Sequence, residues 1–214
     1  MEHICYIVGA WHGEDAVIHC RPGDFVIAAD GGYQALTKLN LAPDLVVGDF
    51  DSLGFVPEGE TIIRHPVMKD DTDTMLAVRL GLERGYKNFV LTGAVGGRLD
   101  HTIANIQTLL FLAGHGARGV LYGDGTVVTA VKNRSLTLTG KGVISVFCMD
   151  GKATGVTEKG LLYALDNATV TSGFPIGVSN EFLDGPATIS VKEGTLIVMW
   201  SAEKEDLPRI VEGI

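Results

Sequence analysis

The chain lacks most of the features that would place it at a membrane, on nucleic acid or in an oxidising compartment. No run reaches the roughly 20 consecutive apolar residues that a membrane helix requires, and the opening MEHICYIVGA has no basic segment ahead of a long apolar run and cleavage site. Three cysteines, Cys5, Cys20 and Cys148, are an odd number without CxxC spacing, so neither a disulfide framework nor a zinc site is expected. Positive charge is in deficit, with 17 Lys and Arg against 26 Asp and Glu and a net charge of −9. That balance offers no footprint for nucleic acid or an anionic membrane. GxGxxG and the Walker pattern are missing from the glycine-rich loop GAVGGRLDH, and there is no internal repeat or low-complexity tract. The expectation is a soluble cytoplasmic protein.

What is present changes character near residue 130. Before it, short apolar runs (HICYIVGA, DFVIAAD, DLVVGDF, ETIIRHPV, KNFVLTGAV, RGVLYGDG) alternate with helical patterns (GYQALTKLN, DTDTMLAVRLGLERGY, HTIANIQTLLFLAG). Such alternation predicts a Rossmann-like, mostly parallel sheet with flanking helices and a ligand at the carboxyl ends of its strands. After Lys132 the segments SLTLTG, GVISVFCMD, GLLYALDN, TVTSG, ATISVKEG and TLIVMW predict an all-β sandwich. The expected domains are residues 1–130, α/β and catalytic, and 131–214, a small β-sandwich.

Acidic residues gather where the first half should have its strand ends. Asp49 and Asp51 in VVGDFDSL are two apart and would share one side of an extended chain. Two such charges about 4 Å apart repel by roughly 4 kcal/mol at an effective dielectric of 20, which calls for a cation. Asp30, Asp100 and the helix-start group Asp70, Asp71 and Asp73 recur in the same setting. Taken singly, Asp30 reads equally well as a turn residue, and Asp70 or Asp71 as a helix cap. Together, oxygen donors without His or Cys suit Mg²⁺ shared with substrate phosphates. Gly93, Gly96 and Gly97, with Arg98 nearby, would let backbone amides approach those phosphates.

AADGG (28–32), PDLVVGDFDSL (43–53), KDDTDTMLA (69–77), GGRLDH followed by Asn105, and SNEF (179–182) resemble, in order and spacing, the motifs of the thiamin pyrophosphokinase family over essentially the whole chain. The resemblance implies transfer of pyrophosphate from ATP to the hydroxyl of thiamin, with Mg²⁺, in a homodimer whose sites lie at the subunit interface. It implies that Asp49, Asp51 and Asp73 hold the metal and are catalytic, Asp73 orienting or deprotonating the acceptor. Asp30, Gly31, Lys69, Asp70, Thr72, Thr92, Gly93, Arg98, Asp100, His101 and Asn105 would bind the nucleotide. Ser179, Asn180 and Phe182 would bind thiamin, with Phe182 standing where some relatives carry a larger aromatic. Asp71 falls on a variable position of its motif and takes no role. A pyrophosphokinase acting on a hydroxymethylpterin would keep the carboxylates without SNEF, and a nucleotide-sensing module would need only the glycine loop and Asp30.

Overall fold

The computed structural model describes residues 3–10, 17–48, 50, 62–64 and 71–214, with only the backbone of Arg64. The chain divides into two compact units, one of residues 1–108 and 121–124 and the other of residues 109–120 and 125–214. It is a mixed α/β protein whose second unit carries antiparallel sheet.

In the first unit the strands β1 (Ile4–Val8), β2 (Phe25–Ala29), β3 (Leu45–Gly48), β4 (Ile62–Arg64) and β5 (Asn88–Thr92) lie in the order β5-β1-β2-β3-β4, all parallel. All five residues of β1 are buried, as are four of the five in β2 and in β5. This is why these segments read as continuous apolar runs rather than alternating ones. Register aligns the carboxyl ends, with Val8 beside both Ala28 and Thr92, and Ala29 beside Val47. Between the strands run α1 (Gly32–Lys38) and α2 (Asp73–Glu83). The helix α2 buries Ala77, Val78 and Gly81. A side chain at Gly81 would meet the Phe89 ring at 2.6 Å and the Cys5 sulfur at 2.9 Å, so helix and strand approach only with glycine there. The cap of α2 is Thr72, whose hydroxyl accepts from the Met75 amide at 3.1 Å. Asp71 instead pairs with Arg79 at 3.2 Å, which corrects its expected reading as a cap. Next come α3 (Leu99–Gly114) and β6 (Arg118–Gly123).

The second unit holds two sets of antiparallel strands. One runs β12 (Asn180–Glu181), β9 (Val143–Cys148), β14 (Thr195–Ser201), β7 (Thr126–Lys132). The other runs β11 (Leu165–Thr171), β10 (Lys152–Lys159), β13 (Ala187–Ser190), β8 (Ser135–Leu138). Alternate residues of β9 are buried, the period-two pattern of a sheet with one covered face. Two expectations change. GLLYALDN is not one strand, because β11 begins only at Leu165 and Gly160–Ala164 form a loop. The half is also not all β, since Pro208 at the start of a turn launches α4 (Leu207–Gly213), which buries Leu207.

Candidate active site

The chain passes from β1 through β2 and β3 to β4 on one side of β1, then returns to place β5 on the other. The carboxyl ends of β1 and β5 therefore form a topological switch point, where open parallel sheets leave a crevice for ligand. The backbone there is bare. A Cβ on Gly9 would stand 2.6 Å from the Gly93 carbonyl oxygen, and one on Gly93 2.7 Å from that of Gly9. The Gly9 amide donates to the Thr92 carbonyl at 2.8 Å, and Gly93 turns the chain at φ +64. Neither position accepts a side chain, so the two backbone segments lie directly against each other.

The loop after Gly93 is held from α3. Asn105, buried, donates to the Ala94 carbonyl at 2.7 Å, and the Gly96 amide donates to the Thr102 hydroxyl at 3.3 Å. Thr92 is buried with its hydroxyl accepting from the Val17 amide at 3.2 Å. Arg98 and Asp100 grip each other through two bonds, 3.2 and 2.6 Å, on the exposed surface. Their mutual hydrogen bonding lowers the Asp100 pKa and raises that of Arg98. The pair is exposed and screened by salt, so it holds the guanidinium only weakly. His101 is exposed, its amide donating to the Asp100 carboxylate at 3.0 Å.

Asp30 follows β2 in the left-handed region at φ 47, its amide donating to the Val47 carbonyl at 2.7 Å. Gly31 is buried immediately beyond it. Phe50, buried, takes φ 63, a conformation a bulky residue adopts only when its surroundings enforce it. Asp73 stands half-buried in the first turn of α2, which leads to a further parallel strand and so starts at the carboxyl edge of the sheet. Asp49, Asp51, Lys69 and Asp70 lie outside the described residues. Among the described residues no three His, Cys, Asp or Glu side chains gather to hold a metal. Asp73 is the one described member of the expected trio, and its oxygen donor fits a hard cation such as Mg²⁺.

In the second unit, SNEF spans the start of β12. Ser179 has φ 59 and its amide donates to the Ser145 hydroxyl at 3.1 Å. Asn180 is buried, and its amide group makes four bonds. Its oxygen accepts from the Tyr163 and Glu181 amides, both at 2.9 Å, and its nitrogen donates to the Tyr163 carbonyl at 2.6 Å and to Glu158 Oε2 at 3.1 Å. Phe182 is half-buried against Gly140, where a Cβ would meet its ring at 2.6 Å. Gly9, Gly140, Ser145, Glu158 and Tyr163 escaped the sequence reading. Only Gly9, at the end of an apolar run, carried a legible signal. A cavity of about 770 Å³ in the same unit, lined by Leu136, Lys141, Trp200 and Arg209 among others, includes none of the expected site residues.

A parallel sheet with Asp30 and the closely approaching Gly9 and Gly93 at its carboxyl edge, followed in the chain by an antiparallel unit, defines a two-part α/β protein. Residues 20–120 match the family model described as thiamin pyrophosphokinase, catalytic domain, and residues 133–196 match that of the thiamin pyrophosphokinase vitamin B1 binding domain. Thiamin pyrophosphokinase 1 of Caenorhabditis elegans is 26% identical over 206 residues, spanning 85% of this chain and 84% of its own. Thiamine pyrophosphokinase of Bacillus subtilis is 26% identical over 186 residues, 83% of this chain and 87% of its own. The crystal structure of the B. subtilis enzyme superposes with a TM-score of 0.81 at 23% identity, covering 94% of this chain and 99% of that one. A thiamin pyrophosphokinase family protein from Enterococcus faecalis gives 0.79 at 26%, covering 94% and 100%. The chain belongs to the thiamin pyrophosphokinase family.

Proposed function

We propose that the chain transfers the pyrophosphoryl group of ATP to the hydroxyl of thiamin, giving thiamin diphosphate and AMP. The observation that carries this reading is the succession of both family models along one chain, catalytic then vitamin-binding. The pterin-directed and nucleotide-sensing alternatives gain no support from those matches.

ATP would lie across the crevice at Gly9 and Gly93, on a Rossmann-like sheet, with Asp30, Gly31, Asp70, Thr72, Thr92, Arg98, Asp100, His101 and Asn105 around it and Lys69 at its phosphates. Several of these act through structure, since Asn105 fixes the loop and Thr72 caps the helix. Asp49, Asp51 and Asp73 would hold Mg²⁺, which when bound supplies charge neutralisation for the phosphates. The thiamin oxygen attacks the β-phosphorus in line, the bond from that phosphorus to the α–β bridging oxygen breaks, and AMP departs with the electron pair. Asp73 would orient or deprotonate the hydroxyl. Positioning does most of the work.

Phe182 offers the thiamin rings an aromatic face, with Ser179 and Asn180 shaping the segment around it. The vitamin-binding half would be a β-sandwich, and residues 1–130 and 131–214 the functional domains. Leu162, Tyr163, Phe174, Ile176, Val178 and Leu183, 44 to 67% exposed, surround SNEF and supply an apolar face suited to a second copy of the chain. A homodimer with shared sites is the resulting proposal. Free thiols at Cys5, Cys20 and Cys148 favour a reducing cytoplasm; no described helix is long and apolar enough to cross a membrane. Incubation with ATP and Mg²⁺ plus either thiamin or a hydroxymethylpterin tests the reading: AMP should form with thiamin alone. AMP formed only with the pterin, or with neither, would overturn it.

A further inference from the structure

Glu158, on β10, is buried, with 1% of its surface exposed. Its Oε1 has no hydrogen-bond partner in the described structure, while Oε2 accepts from the Asn180 amide nitrogen at 3.1 Å. A buried carboxyl with an unused oxygen is costly, and natural folds rarely keep one without a reason. Burial pushes its pKa up, opposed only by the Asn180 bond, and no charged side chain contributes to the shift. The reason lies one residue further on. Asn180 reads the backbone of Tyr163 on both its N–H and C=O edges and holds the Glu181 amide as well. It thereby staples the loop after β10 to SNEF. Beside that staple, the Leu162 amide donates to the Glu181 carbonyl at 2.9 Å, the Phe182 amide to Gly142 at 3.0 Å, and the Leu183 amide to Gly160 at 3.0 Å. An Asn amide can be rotated by half a turn with little change of shape, exchanging its donors and acceptor. The Tyr163 N–H and C=O and the Glu181 N–H fix which way the Asn180 amide faces, and Glu158 Oε2 takes its remaining amide hydrogen, so that every polar group of Asn180 is bonded.

We infer that Glu158 is a positioning residue for thiamin, acting through Asn180 to fix the segment that carries Tyr163 and Phe182. The inference rests on the thiamin reading of that segment. Glu158 touches no substrate. Its effect is to complete the bonds of Asn180 and so hold in place the segment that carries the aromatic side chains beside it.

The test compares wild type with Glu158→Met, Glu158→Asp and Glu158→Gln by thiamin-dependent AMP formation, varying thiamin and ATP separately. Wild type without thiamin-dependent AMP would sink the functional reading itself, apart from this inference. With wild type active, Glu158→Met should raise the thiamin KM at least about tenfold while the ATP KM stays within twofold. Glu158→Gln, whose side-chain oxygen can accept the same bond, should recover most of the thiamin affinity. Should Glu158→Met not fold, Glu158→Asp, which withdraws the acceptor by one methylene, is read in the same way. A role confined to stability would lower Tm without separating the two KM values. Folded Met or Asp variants with a thiamin KM within twofold of wild type, or with both KM values raised equally, would overturn the inference.

Discussion

Replacing Gly93 by alanine should remove about 2 to 5 kcal/mol of folding stability, the sum of two separable costs. The first is conformational: at φ +64 an alanine gives up roughly 1 to 2 kcal/mol that glycine does not. The second is steric, because the new Cβ would stand 2.7 Å from the Gly9 carbonyl oxygen, a backbone atom that cannot swing aside. Forcing such a contact typically costs about 1 to 3 kcal/mol. Gly85 separates the two, since it sits at φ +89 with nothing within 4 Å of the would-be Cβ. Gly85→Ala should therefore show the conformational cost alone. Urea denaturation of both variants and wild type, with m-values compared to verify two-state behaviour, gives the difference directly. Gly93→Ala should be less stable than Gly85→Ala by at least about 1 kcal/mol and should also raise the ATP KM, because the strand ends it pushes apart form the crevice. Equal stabilities within about 0.5 kcal/mol would refute the close approach of β1 and β5 as the reason for paired glycines.

Phe182→Ala should raise the thiamin KM by an amount equivalent to about 1 to 3 kcal/mol and leave the ATP KM nearly unchanged; equal changes in both would remove the aromatic platform. Asp73→Asn should lower kcat instead, and verified heterodimers of Asp73→Asn with Phe182→Ala chains should regain activity if sites are shared between copies; no recovery would argue for a site completed within one chain. Thr72→Ala should destabilise by about 1 kcal/mol through the lost cap, read by thermal melting, and no loss would contradict the cap geometry. The raised Glu158 pKa means the folded chain keeps a proton that the unfolded chain releases above the ordinary value of 4.5. Its contribution to stability is therefore full below about that pH and fades as pH climbs through the raised folded value. The Tm advantage of Glu158→Gln over wild type should accordingly grow with pH, and a gap constant from pH 4 to 8 would contradict the burial argument.

The parallel strands were legible because burial on both faces writes consecutive apolar residues into the chain, all five of β1 and the Phe-Val-Leu centre of β5. Of the motif residues described, Asp30 and Gly93 follow the carboxyl ends of β2 and β5. What stayed hidden depends on contacts between residues far apart in the chain. Nothing near Gly9 announces that Gly93 will stand against it. β10, KATGVTEK, is absent from the expected strands; its buried acid looks like any surface glutamate until Asn180, 22 residues on, is placed beside it. TVVTAVK, absent from the expected strands, forms β7 after a turn through Asp124 and Gly125, both at positive φ. α4 escaped because seven residues around a proline show too little periodicity to stand out in a β-rich half.

The central claim concerns which phosphorus of ATP is attacked, and the products record it. With the purified chain, ATP, Mg²⁺ and thiamin, phosphorus NMR of the quenched reaction should show AMP and thiamin diphosphate rising in equal amounts, with no ADP attributable to thiamin. ADP with thiamin monophosphate would mean transfer of the terminal phosphoryl group alone, and that result would contradict the account.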